Sequence, residues 1–186
     1  MANPFQSTVG VLLLSSCALA GCSPELNWRD VRASDTRLQA LMPCKPDLAT
    51  RRVPLAGQPV EMHLSGCDAA GATFVIGWAD VPVSRLGMAM GDWQDATLER
   101  IGVRSGPDAP AGRAFVPPGG IALPQALRLR AEGRAPDGSA LPLQAAWFAS
   151  AGDATGTGPQ VMFAAIYREP VQHEAADTFF AGLHLR

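Results

Sequence analysis

A chain of 186 residues is long enough to bury one ordinary hydrophobic core and short for two. With 47% hydrophobic and 17% charged residues it is composed like a folded globular protein, not a disordered one. A formal net charge of -2 offers no basic footprint of the kind nucleic acid demands, which argues against that partner. The basic residues are nearly all arginine, with Lys45 the sole lysine. Their scatter along the chain reads as base-composition bias of the coding gene, not as a functional arginine cluster.

In chain order, Val9 to Ala20 is an apolar run. It is too short to span a bilayer, which takes about 20 apolar residues, and has the length of a signal-peptide core. It closes on Leu19-Ala20-Gly21-Cys22. The small Ala20 and Gly21 leave the backbone open to a peptidase, and the Cys22 thiol is a soft nucleophile suited to accept a diacylglycerol. Met1 to Gln6 holds no Lys or Arg, so the amino terminus alone supplies positive charge ahead of the run.

These four residues resemble the lipobox of bacterial lipoproteins, Leu-small-small-Cys. The resemblance implies a signal peptide over residues 1–21, lipidation at Cys22, a tether over 22–36 and a domain over 37–186. Ser23 stands after the cysteine where Asp would retain such a protein at the inner membrane. The implied location is the outer membrane, facing the periplasm, held by more than one acyl chain because a single chain binds only marginally. A soluble periplasmic product of an ordinary signal peptide is the alternative.

Past the leader, Trp28 is expected to clamp the tether onto the core, beside a first turn or edge strand. Leu38, Ala40 and Met42 alternate with Arg37, Gln39 and Leu41, the period of a strand. Pro43 and Pro46 end it. Val60, Met62 and Leu64 alternate with Glu61, His63 and Ser65, and Phe74, Ile76 and Trp78 share one face of a further strand. Turns are expected at Ala56-Gly57-Gln58 and at Asp68 to Gly71. Residues 37–79 read as one antiparallel meander.

Cys17 lies within the leader and Cys22 at the lipid site, which leaves Cys44 and Cys67 of the four cysteines. Two thiols in an exported domain are usually oxidised to each other. They do not form a C-x-x-C pair, so a structural staple is expected over redox catalysis.

From Ser84 to Ile101 the period changes. Leu86, Met90, Trp93, Thr97 and Ile101 recur at helical spacing, with Ser84 as the expected N-cap. This stripe is read as core, not as a cofactor site. Residues 102–124 hold Gly106-Pro107, Pro110, Pro117-Pro118-Gly119-Gly120 and Pro124, so neither helix nor central strand is expected. Leu127, Leu129 and Ala131 alternate with Arg128, Arg130 and Glu132, a strand with a wet face. Pro136-Asp137-Gly138-Ser139 turns it back along Leu141 to Trp147. Gln160 to Arg168 adds a strand stopped by Pro170, and Glu174 to Leu183 a last helix. Strands, helix, long loop, strands, helix is the order of the α+β class, an antiparallel β-sheet with helices packed on it.

That order, with Leu41-Met42-Pro43 closing an early strand and Ala176-Asp177-Thr178-Phe179-Phe180 in the last helix, is similar to the PsbP-like family. The resemblance implies a PsbP-like sandwich used largely for binding and assembly, and it brings no catalytic residues with it.

No G-x-S-x-G, H-E-x-x-H or G-x-G-x-x-G pattern occurs. His63 is placed on a polar strand face, His173 ahead of the last helix and His184 at a terminus expected to fray. Scattered as they are, they suggest no metal site and no cofactor. The expected function is an uncharacterised, non-catalytic binding or assembly module with a protein or small-molecule partner. A small hydrolase or transferase with a site under the 102–124 loop is the alternative. Its candidates are Asp80, Arg104, Asp108, Arg113 and Arg128, provided a pocket gathers two or more of them. A carrier of apolar ligands is a third reading.

Overall fold

The computed structural model describes residues 25–154, 156–168 and 174–186. The leader with Cys17 and Cys22, together with Ser23, Pro170 and His173, lies outside the described residues.

Among the described residues, ten strands form two sheets and two α-helices pack on them. Strands β1 (Arg29–Arg32) and β2 (Leu38–Met42) open the chain. Then come β3 (Asp47–Leu55), β4 (Gln58–Ala69) and β5 (Ala72–Asp80), helix α1 (Leu86–Arg100) and the two-residue β6 (Arg113–Ala114). Strands β7 (Leu127–Arg134), β8 (Ala140–Ser150) and β9 (Gln160–Tyr167), helix α2 (Glu174–Ala181) and β10 (His184–Leu185) complete it. Seven strands form one antiparallel sheet in the order β3-β4-β5-β9-β8-β7-β6, and β1-β2-β10 form a second, small one.

The turns make the meander. Ala56 and Gly57 have φ of 52° and 74°, and Ala70 and Gly71 have 49° and 76°. Two consecutive left-handed residues match the right-handed twist of a hairpin, which ordinary turns would splay. Gly138, at φ 82°, closes the β7–β8 hairpin where Pro136-Asp137-Gly138-Ser139 predicts it.

Alternation along the strands then sorts side chains to two faces. On the first, Ala79, Val161, Phe163, Ala165, Leu143, Ala145 and Trp147 meet α1 through Leu86, Met90 and Trp93. The Trp93 ring stacks on Phe163 with centroids 5.3 Å apart, and Trp147 tilts against the same ring at 5.5 Å. The expected stripe of Leu86, Met90, Trp93, Thr97 and Ile101 is buried throughout. On the second face, Phe74, Ile76, Trp78, Phe148, Met162 and Ile166 meet α2 and the small sheet through Leu38, Met42, Phe179 and Phe180.

Four details differ from the pattern-based expectation. First, β2 is not part of the 37–79 meander: it pairs with β1 and β10 and lies over the second face. Pro43 and Pro46 break the chain between β2 and β3, and nothing local records which sheet β2 joins. Second, Ser84 does not cap α1. It sits inside a 3₁₀ turn, Val83–Arg85, and the N-cap residue Arg85 makes no capping bond with its side chain. Arg85 Nη1 instead donates to the Ala56 carbonyl at 2.7 Å, while Asp92 Oδ2 accepts from Ala56 N–H at 2.7 Å. The helix is therefore anchored to the β3–β4 turn. Third, Arg128 does not face water; it is 8% exposed. Fourth, the terminus does not fray, because β10 pairs with β2 and His184 Nε2 lies 2.8 Å from Gln39 Oε1.

The Cys44–Cys67 disulfide is formed, with Cα atoms 6.0 Å apart. It joins the segment after β2 to β4, so it staples the small sheet to the large one. Closing a loop of this length removes about 3–4 kcal/mol of unfolded-chain entropy in the loop-closure treatment. Trp28 packs edge-on to Phe74 at 6.4 Å, the expected clamp at the start of β1.

Candidate functional site

The 102–124 segment is an ordered crossover. It contains a 3₁₀ turn at Gly106–Asp108, then β6, and an isolated bridge from Ile121 to Ala149. The Leu185 N–H donates to the Pro118 carbonyl at 2.8 Å, which joins the crossover to the small sheet. Phe115 drops into the second face, edge-on to Phe148 at 6.0 Å and to Phe180 at 6.2 Å. That anchor lays Arg113 along the edge of the large sheet.

In the β6–β7 pair, Arg113 stands directly opposite Arg128. Arg130, two residues on in β7, points to the same side. Opposed like charges are destabilising in a sheet, yet here two guanidiniums face each other with a third beside them. Between them opens a cleft of about 540 Å³, lined by Ala111, Gly112, Arg113, Arg128, Leu129, Arg130 and Asp177.

The second face supports this cluster. The Arg128 guanidinium carbon lies 3.8 Å from the centre of the Phe180 ring, a cation–π contact of about 0.5–2 kcal/mol. Its Nη2 donates to Gln144 Oε1 at 2.9 Å and stands 3.5 Å from Asp177 Oδ1. Burial is the main cause that lowers the Arg128 pKa from its ordinary value. Arg113 lowers it further, Asp177 opposes the shift and Arg130 adds to it. Asp177 is 83% exposed, so its compensation is screened by water. Among the described residues the cleft therefore holds three cations against one solvent-screened carboxylate.

Of the five residues named for a site under this crossover, the structure brings Arg113 and Arg128 together. Asp80 accepts from Gln160 Nε2 at 2.8 Å instead. Arg104 and Asp108 pair with each other at 3.6 Å on the surface, 84% and 71% exposed. Arg130 and Asp177 also line the cleft, although neither was among the expected site residues and the arginines look scattered along the chain. The alternation of Arg128 and Arg130 along β7 is legible as one face. Its meeting with Arg113 and Asp177 is not, because those are 15 or more and 47 or more residues away along the chain.

His63 and His184 do not line the cleft. His63 stacks on Trp78 with centroids 5.3 Å apart and lies 3.2 Å from Thr50 Oγ1. Among the described residues no group of three or more His, Cys, Asp and Glu side chains is placed to hold a metal ion. No described helix is long and apolar enough to cross a membrane. No protein-family model, curated protein or solved structure matches the chain.

Proposed function

We propose that this protein is a binding module held at the periplasmic face of a bacterial outer membrane by lipid on Cys22, and that its working surface is the arginine cleft at the β6–β7 edge. The cleft is the observation that carries the reading. Arginine stays protonated at neutral pH and presents fixed donors, so it binds and orients and does not exchange protons. The helix–sheet–helix layering is in keeping with a PsbP-like sandwich, a fold suited to binding and assembly.

The hydrolase or transferase reading called for titratable residues gathered under the crossover, and among the described residues Asp177 is the one carboxylate that lines the cleft. Raising a carboxyl into the range of a general acid takes burial or a second carboxylate. Asp177 stands in water beside a cation, which favours the binding role.

Two experiments test the proposal. Metabolic labelling with palmitate should be lost in Cys22→Ser; label retained by that variant would overturn the anchor. Photo-crosslinking from a probe at Ala111, in the periplasm, should capture a discrete partner or ligand adduct, and the absence of any adduct would overturn the binding site.

A further inference from the structure

Resting on that binding role, we infer the chemical class of the ligand: a small molecule bearing two negative charges on phosphate or carboxylate oxygens, held between Arg113, Arg128 and Arg130.

Three observations carry this. The first is charge. Among the described residues, three guanidiniums and one carboxylate leave the cleft with an excess of two positive charges, which a dianion would neutralise. The second is unused hydrogen-bonding capacity at a buried cation. Arg128 is 8% exposed and carries five N–H donors, of which, among the described residues, Nη2 alone meets protein acceptors, Gln144 and Asp177. Arg113 and Arg130 make no ion pair with any described residue. A planar fork of donors is matched by an oxyanion that accepts two parallel bonds. The third is preorganisation. Phe180 holds the Arg128 guanidinium from one side, and the β6–β7 register sets Arg113 across from it. The Arg128 guanidinium is placed before a ligand arrives, so little of its side-chain entropy remains to be lost. At about 540 Å³ the cleft exceeds a lone phosphate, and the body of the ligand lies within it.

Asp177 gives the proposal a signature that a purely structural cluster would lack. Its carboxylate stands beside the Arg128 guanidinium in the same cleft, so it competes with the ligand.

The test is isothermal titration of the full mature protein with glycerol 3-phosphate and with succinate, using sodium chloride at matched ionic strength as the blank. Saturable binding of one or both is expected. The phosphate and carboxylate arms then tell which group is recognised. The double variant R113Q/R130Q, altered at two exposed positions, should lose roughly tenfold or more in affinity. Asp177→Asn should bind several-fold more tightly. Circular dichroism confirms that each variant is folded. Binding of neither probe would overturn the inference, as would an affinity indifferent to R113Q/R130Q or weakened by Asp177→Asn. A crosslinked adduct at Ala111 with no dianion binding would sink this ligand class and leave the binding module standing. No adduct and no dianion binding would remove both.

Discussion

The two faces of the seven-stranded sheet are built by different rules. The face under α1 is closed by one helix and is apolar: its strand positions are filled by Ala, Val, Leu, Phe and Trp. The face under α2 and the small sheet is closed by a patchwork, and buried polar side chains collect there. Ser65 lies across from Ile76, Gln144 from Ile166, Arg128 from Ala146, and Ser150 from Gln160, all in line with the second cluster. A single amphipathic helix laid on a sheet excludes water. Several short pieces meeting on one face leave seams, and buried polar groups at seams must find partners or remain unpaired. Gln160 does both: its Nε2 donates to Asp35 O and Asp80 Oδ1, while its Oε1 has no partner. The arginine cleft opens where one such seam reaches the sheet edge. The lesson is that the dry face holds the fold while the seamed face supplies the chemistry.

This contrast can be broken first on the dry face. Phe163→Ala removes the ring shared by Trp93 and Trp147 and should cost about 3–5 kcal/mol, read as a fall in the urea midpoint. A loss under 1 kcal/mol would mean that the first face is not the stabilising one. On the seamed face the corresponding staple is the disulfide. Reduction, or Cys44→Ser with Cys67→Ser, should cost about 3–4 kcal/mol in the same assay. A smaller substitution tests the bond between crossover and small sheet. Gly119 has φ 81°, and a Cβ there would strike the Leu185 carbonyl. Gly119→Ala should cost about 1–3 kcal/mol and increase amide exchange at Leu185, whose N–H donates to Pro118 O.

The cleft should respond in the opposite sense. Arg113→Gln relieves the like-charge pair with Arg128 and should stabilise the ligand-free protein by about 0.2–1 kcal/mol while weakening dianion binding. A loss of stability would show that the arginines are structural. Last, Tyr167 is the chain's only tyrosine, and burial pushes its pKa above 10.0, opposed by Arg100. The native state then holds its proton to higher pH than the unfolded state does. The stability linked to it is present below about pH 10 and is lost as pH rises through the native value. Tyrosinate absorbance should rise later in the native protein than in urea; coincident curves would refute this.

Much of the fold is legible in local pattern. Leu38, Ala40 and Met42 declare a strand by their period, and Gly71 and Asp137-Gly138 declare turns, because Gly accepts positive φ without a steric cost. The stripe from Leu86 to Ile101 declares a helix by spacings of three and four. The end of the chain is less legible, since two-residue strands such as β10 carry no period at all. The site is least legible. Arg128 and Arg130 look like the wet side of a strand, because alternation says which residues share a face and not what covers it.

By itself, then, the sequence determined the α+β class, the positions of the turns, the helix that closes the dry face and the pairing of Cys44 with Cys67. Each follows from a local period, a backbone constraint or simple elimination. The tertiary structure alone decided that β2 joins a second sheet, that Phe180 lies beneath Arg128 and that Arg113 meets it across a strand pair. Those are contacts between segments distant along the chain, chosen by the packing of whole faces, and no window of neighbouring residues encodes them.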